Sequence, residues 1–267
     1  MRPSARRRRP TKCDDREVRD IETGEAMPRS HHVARIPIAM AYPDDILGNL
    51  VNEVFGGEYE SGHDGSGLTI LDIGANIGAF AVWASLRWPG STIHCYEANP
   101  ETFPYLKRNT AADPRIHCTH AAVYPGEQKT MPFFYRFAGD GEAGLSAYMS
   151  ETFRTGVDGR TYEVDVVSPA ALPKADIVKL DIEGGEGAVL AALDLTGTAL
   201  VLSEFQNRRN RMEMQAVLAK AGFVAVRDDE APWDPILGLN DYNQGLKGDI
   251  YGHMFYERKG QTRLARG

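Results

Sequence analysis

The chain has 267 residues, 42% of them hydrophobic and 25% charged, the make-up of an ordinary globular protein with room for one large α/β domain. Its formal net charge of −7 offers no overall attraction to polyphosphate, which disfavours a general nucleic-acid binder, and no apolar run approaches the ~20 residues needed to cross a bilayer. Of its three cysteines, Cys13, Cys95 and Cys118, none has metal-ligand spacing; Cys95 and Cys118 fall in apolar runs and read as free core thiols suited to a reducing compartment.

The basic start, with Arg6, Arg7, Arg8 and Arg9, leads into an acidic stretch without a signal-length apolar segment, so a cytoplasmic location is expected. Residues 1–44 are expected to form a partly disordered N-terminal extension, residues 45–260 the domain, and residues 261–267 a tail. Ile46, Leu47, Leu50, Val51, Val54 and Phe55 recur at helical spacing before Gly56 and Gly57 stop the pattern. A glycine-rich loop at 62–67 precedes a strand at 68–72, and Ile77, Phe80, Ala81, Ala84 and Trp88 then repeat as a crossover helix that ends at Pro89 and Gly90. Strand 92–97, helix 103–109 and strand 115–123 continue the alternation. After a less regular stretch come strand 176–181, helix 187–195, strand 199–204, helix 209–221 and strands 223–227 and 250–257. In an open parallel sheet ligands bind beyond the carboxyl ends of the strands, so Asp72, Glu97, Asp181 and Glu204 should converge on one rim.

The turn from Asp72 through Gly74, Ala75 and Asn76 to Gly78 joins the first core strand to its helix, and its glycines let backbone pass close to a ligand. Such a turn is weak evidence alone. The nicotinamide fingerprint needs G-x-G-x-x-G, whereas Asn76 holds the second glycine position here, and the acidic Asp72 suits a cationic ligand better than a pyrophosphate. Glu97 closes the next strand, where Rossmann-like folds hydrogen-bond the ribose hydroxyls of an adenosine ligand. Together these residues outline an adenosine pocket; the plainer reading has both carboxylates capping adjacent helices.

The segments LDIGANIGAF, CYEANP, HAAV and VKLDIEGGE, in this order and spacing, resemble the successive motifs of the FkbM family of methyltransferases. The resemblance spans about residues 45 to 257, and VKLDIEGGE is its most specific block. It implies an α/β, Rossmann-like class I methyltransferase fold: a mostly parallel seven-stranded sheet with helices on both faces and an antiparallel C-terminal strand. It also implies S-adenosylmethionine as methyl donor and O-methylation of a hydroxyl on a sugar, glycan, polyketide or related natural product. On this resemblance Asp72, Gly74, Asn76 and Gly78 border the methionine part of the donor, Glu97 holds the ribose, His120 with Ala121 lies near the adenine, and Ala75 and Ala98 belong to the same donor site. Tyr59 closes over the donor, and Asp181 contributes to the same site.

A sulfonium methyl is already electrophilic, so what remains is to align an acceptor oxygen and remove its proton. Glu183 is the expected base and Asp181 the residue that orients acceptor or donor; alternatively Glu183 and Glu186 cap the following helix. Asp181, Glu183 and Glu204 are oxygen ligands available to Mg²⁺, although Gln206 stands where related members often carry a histidine. His94, His117, His120 and His253 read as core imidazoles, and His63 in its glycine-rich loop could act in a lid. Arg208, Arg209 and Arg211 could grip an anionic group of the acceptor or form a solvated helix start. Acceptor selectivity is expected from 137–160, 207–211 and 228–248, the last with Trp233 and Tyr242. The partner is thus a small-molecule acceptor, with no membrane partner. Three alternatives stay open: N-methylation or RNA 2′-hydroxyl methylation on the same fold, a nicotinamide enzyme, and an inactive donor-binding module. Oligomeric state is also open, a homodimer being one option.

Overall fold

The computed structural model describes residues 29–33, 36–43, 51–149, 151–156, 158–232 and 250–260. The expectations for residues 1–28, 233–249 and 261–267, including Cys13, Trp233 and Tyr242, lie outside the described residues.

The described chain begins with an antiparallel hairpin of β1 (Arg29–Val33) and β2 (Ile36–Met40), followed by a helix, α1, described over 51–55. Residues 29–33 and 36–40 therefore hold strands within the stretch expected to be an extension. Met40, Ala41 and Tyr42 are buried, and the Asn109 side chain pairs with the Ala41 backbone at 2.7 and 2.9 Å, so the core reaches back to residue 40.

From there the expected alternation forms: β3 (Thr69–Ile73), α2 (Ala79–Arg87), β4 (Thr92–Glu97), α3 (Phe103–Thr110) and β5 (Ile116–His120). A second small sheet interrupts it, made of β6 (Ala122–Val123), β7 (Thr130–Tyr135), β8 (Gly144–Leu145) and β9 (Arg160–Val167), with α4 (Glu151–Gly156) between β8 and β9. Then come β10 (Ile177–Leu180), α5 (Glu186–Ala192), β11 (Leu200–Phe205), α6 (Arg208–Lys220), β12 (Phe223–Asp228), β13 (Ala231–Pro232) and β14 (Ile250–Arg258).

The main sheet has the strand order β12-β14-β11-β10-β3-β4-β5, with β11, β10, β3, β4 and β5 paired in parallel and β14 antiparallel to both neighbours. Parallel neighbours require crossovers, and buried faces on both sides explain why the central strands β3, β10 and β11 are rich in Ile, Val and Leu rather than alternating. Ile70, Ile93 and Ile177 pack on one face with Phe80 and Trp83 of α2, while Leu71, Val178 and Leu180 pack on the other with Leu190 of α5 and Met214 of α6. Helices on both faces and the reversed last strand match the expectation.

One expected strand, 115–123, is two. The Ala121 N–H donates to the Glu97 and Thr119 carbonyls, at 3.1 and 3.2 Å, and breaks the ladder; beyond it β6 pairs with β9 in the small sheet. That sheet packs Met131, Phe133, Leu145 and Val164 around Ala98 and Ala122. It stands beside the C-terminal rim of the main sheet and walls the site.

Candidate functional site

Two cavities open beyond the carboxyl ends of β3, β4, β10 and β11. The first, of about 220 Å³, is lined by Glu97, Ala98, Ala121 and Ala122 at one end and by Tyr148, Asp181, Glu183 and Glu204 at the other, with Phe133 and Leu145 of the small sheet along its wall. The second, of about 620 Å³, is lined by Glu58, Tyr59, Ala75, Ile77, Phe80, Lys179, Arg227 and His253. Gly74, Asn76, Asp181 and Glu204 line both.

The glycine turn makes this junction possible. A Cβ on Gly74, whose φ is +82°, would stand 1.7 Å from the Asp181 carbonyl oxygen, so β3 and β10 can approach at this level only with glycine here. Asn76 also has positive φ, 47°, and the turn is fixed by its side chain accepting the Ile77 N–H at 2.8 Å. Gly74 and Ala75 donate to the Tyr96 carbonyl, both at 3.0 Å, which ties the turn to β4.

Glu97 accepts the Asn76 N–H at 2.8 Å and the Asn99 N–H at 2.7 Å, one on each carboxylate oxygen. Burial pushes its carboxyl up to about 7 despite those two bonds and the charge of Lys179. Across the cavity, the 137–141 loop is held by Asn99 donating to the Phe137 carbonyl at 3.1 Å and by Gly139 donating to Thr102 at 2.6 Å. Asp140 lines the cavity but is engaged by Arg136 at 2.9 and 3.0 Å.

At the other end the sequence VKLDIEGGE separates two glutamates that sequence reasoning grouped together. Glu186, fully buried, accepts the Ile182 N–H at 2.9 Å, the Gly184 N–H at 3.1 Å and the Asn210 amide. It is the staple of the turn and the first residue of α5. Glu183 instead has φ of 62°, a region that costs a non-glycine residue roughly 1–2 kcal/mol, and its side chain lines the first cavity. Burial first, then the charges of Asp181, Glu204 and Glu186, push the Glu183 carboxyl well above its usual range. Glu204, hydrogen-bonded to Asp181, is raised in the same way, by burial and then by Asp181 and Glu58. Because two backbone N–H groups depend on Glu186, Glu186→Ala is expected to lower stability by about 1–3 kcal/mol, read as a lower urea midpoint. An unchanged midpoint would show that solvent replaces the staple.

Lys179 was not foreseen. The signal was present: a lysine inside the apolar strand IVKL, two residues before Asp181. It is buried, donates to the Gly74 carbonyl at 2.7 Å, and lies 3.4 Å from Asp72 and 3.6 Å from Asp181. Burial alone would lower its pKa, but the charges of Asp72 and Asp181 outweigh it and hold the ammonium firmly protonated. Tyr148 was also missed: its ring lies where a Cβ on Gly185 would be, 2.4 Å from Tyr148 Cε2, and it faces the first cavity beside Glu183.

The other expected residues divide clearly. Gly74, Ala75, Asn76, Glu97, Ala98, Ala121, Asp181, Glu183 and Glu204 come together at the cavities, and Tyr59 lines the second, its ring 5.0 Å from Phe80 and 6.2 Å from Phe255. Asp72 does not face either cavity: it is fully buried behind the turn, beneath Lys179. Gly78 packs against Leu106 of α3 instead. The His120 ring stacks on Phe103 at 4.7 Å and bonds the Ala98 carbonyl, so its neighbour Ala121, not the imidazole, lines the cavity. His253 is no inert core imidazole either, since it pairs with Glu58 at 2.9 Å on the wall of the second cavity. His63 is tied to Glu257 at 3.1 Å near the start of β11, away from the rim, which removes a lid role. Arg209 is exposed and pairs with Glu213, as the solvated reading expects, whereas Arg211 is partly buried and pairs with Asp228 and Glu230. Cys118 is only partly buried, in contrast to Cys95.

Among the described residues no group of three or more His, Cys, Asp or Glu side chains is arranged to hold a metal ion, so Mg²⁺ at Asp181, Glu183 and Glu204 is not supported. No helix among the described residues is long and apolar enough to cross a membrane.

Residues 72–224 match the family model described as the methyltransferase FkbM domain. Methyltransferase 1 of Beauveria bassiana (strain ARSEF 2860) is 27% identical over 147 residues, which span 47% of this chain and 58% of that relative, less than two thirds of its length. The 31-O-demethyl-FK506 methyltransferase FkbM of Streptomyces tacrolimicus is 26% identical over 210 residues, 67% of this chain and 79% of that one. Among solved structures, precorrin-6y C5,15-methyltransferase from Geobacter metallireducens GS-15 is similar at 14% identity and a TM-score of 0.42, covering 83% of this chain and 94% of that chain.

Proposed function

Because the chain belongs to the FkbM methyltransferase family, we propose that it transfers a methyl group from S-adenosylmethionine to a hydroxyl of a small molecule, a sugar, glycan or other natural product. The observation that carries this reading is the junction of two cavities at Gly74, Asn76, Asp181 and Glu204, with an acidic rim on both sides. The adenosine half of the donor belongs beside Glu97, Ala98 and Ala121, where the Glu97 oxygens keep free lone pairs for ribose hydroxyls. The amino-acid half belongs over residues 74–77 in the larger cavity, closed by Tyr59 and carrying both signs of charge in Glu58 and Arg227. Asp181 and Glu204 at the junction suit the sulfonium between the two halves. Bound there, the donor supplies a methyl group already activated for attack.

The chain's own residues then have to place a hydroxyl, exclude water and take its proton. Phe133, Leu145 and Tyr148 form an apolar and aromatic wall next to Glu183, which is positioned to act as the base. The substrate in the name of the Streptomyces relative, 31-O-demethyl-FK506, supports an oxygen acceptor on a small molecule.

Calorimetric titration with S-adenosylmethionine and S-adenosylhomocysteine, with NAD as control, tests the reading. Micromolar binding of the first two and none of NAD is expected; folded protein that binds neither would overturn it. The same titration should show a pH signature from Glu97. Ribose hydroxyls donate to the ionised carboxylate, so with this group titrating at about 7 the affinity at pH 6 should be roughly tenfold weaker than at pH 8. In the unliganded protein the sign is opposite: the raised pKa contributes stability that is full below the ordinary 4.5 and lost as pH rises through about 7. Glu97→Gln should weaken binding by at least about tenfold and flatten the pH dependence, since the amide cannot accept from both Asn76 and Asn99.

A further inference from the structure

One residue from each of four adjacent strands forms a polar row across the main sheet. Lys179 of β10 is in register with Asp72 of β3, Asp72 with Cys95 of β4, and Cys95 with Cys118 of β5. All lie on the face of Ile70 and Ile177, because side chains two residues apart share a face. Lys179 is 3.4 Å from Asp72 Oδ1, the Cys95 thiol donates to Asp72 Oδ2 at 3.9 Å, Cys118 is the directly paired residue on the next strand, and the Thr110 hydroxyl lies 3.3 Å from Cys118 Sγ. Cys95 is fully buried, whereas Cys118 is reached by solvent.

We propose that Cys118 and Cys95 form a peroxide-reactive dithiol whose oxidation to a disulfide disturbs the Gly74 turn through Asp72 and Lys179. The Cys118 thiolate attacks hydrogen peroxide; an S–O bond forms, the O–O bond breaks, and hydroxide leaves, to be protonated to water. The Cys95 sulfur then attacks the sulfenic sulfur, an S–S bond forms, and a second water departs with the Cys95 proton. Two thiols lose two electrons and one peroxide becomes two waters. Directly paired positions on neighbouring strands lie about 4.8 Å apart, within the Cα range that a disulfide spans. The order of events follows from exposure and acidity: solvent reaches Cys118 and not Cys95, and the Cys95 and Thr110 side chains beside it and the charge of Lys107 bring the Cys118 thiol down to about 6 against the cost of burial and the charge of Asp72.

The disulfide removes the thiol donor from Asp72, whose Oδ1 already lacks a hydrogen bond. Lys179 is then drawn toward Asp72 and away from the Gly74 carbonyl and Asp181, which rests on the donor site proposed above.

The test uses the full chain with Cys13→Ala, titrated with hydrogen peroxide. Peptide mass analysis should find Cys95 joined to Cys118 with the loss of two hydrogen atoms, and Cys95→Ala should instead trap oxygen adducts on Cys118. Cys118→Ala should leave Cys95 unmodified. S-adenosylmethionine affinity should fall roughly tenfold on oxidation and return with dithiothreitol. No crosslink under excess peroxide, with Cys118 alkylating no faster at pH 7 than a free model thiol, would overturn the dithiol. A crosslink with unchanged donor affinity would overturn its link to the turn. Reduced protein that fails to bind the donor would count against the donor site alone, leaving the mass analysis to decide the thiol chemistry.

Discussion

Lys179→Met is expected to destabilise the protein by about 3–5 kcal/mol, the cost of leaving buried carboxylates without their cation. Methionine matches the volume and apolar stem of lysine, so packing between β3 and β11 changes little. What is lost is charge. Asp72 is fully buried, and among the described residues its ion-pair partner is the ammonium 3.4 Å away; the same ammonium satisfies the Gly74 carbonyl and faces Asp181. A urea denaturation series at pH 7 reads the effect. Burial raises the Asp72 pKa and Lys179 opposes this, so without the cation Asp72 should take up a proton and part of the loss should recover at pH 5. Lys179→Met combined with Asp72→Leu should cost less than the sum of the two single changes, because a paired unit is then replaced by an apolar one. Equal midpoints for wild type and Lys179→Met would mean that Asp72 is already neutral in the native state.

This placement of Asp72 marks where the sequence could be read and where it could not. The strands were legible because buried parallel strands are continuous apolar runs, and the glycine turn because a Cβ at Gly74 would strike the next strand's carbonyl. The carboxylates that end strands, Glu97, Asp181 and Glu204, reach the rim as expected. Asp72 belongs to β3 itself, and alternation turns it into the sheet, where it meets Lys179; a one-dimensional pattern gives the face but not the partner across it. The small sheet escaped notice because β9 is mostly exposed along its length and Pro132 interrupts the apolar run of β7. Tyr148 escaped for the same reason, being brought to Glu183 by that sheet and by the missing side chain at Gly185. His120 misled through position alone: β5 ends beside the cavity, but its last side chain turns outward onto Phe103.

Glu183→Gln is the substitution expected to separate binding from chemistry. The variant should bind S-adenosylmethionine with wild-type affinity and lose about 10²- to 10³-fold in kcat, the usual contribution of a positioned base. Glutamine preserves length and tolerates the same left-handed backbone, so the turn stapled by Glu186 should persist and the difference should report on proton acceptance. Neighbouring carboxylates are less suited to proton abstraction, because Asp181 faces Lys179 and Glu204 is hydrogen-bonded to Asp181. The Glu183 carboxyl, in the unliganded protein, is raised well above the ordinary carboxylate range by burial and by Asp181, Glu204 and Glu186. Turnover in the wild type should therefore rise with pH as this group ionises. In Glu183→Gln that rise should vanish. A variant that turns over at the wild-type rate would reduce Glu183 to a wall of the cavity and move the base to the acceptor itself or to Tyr148 beside it.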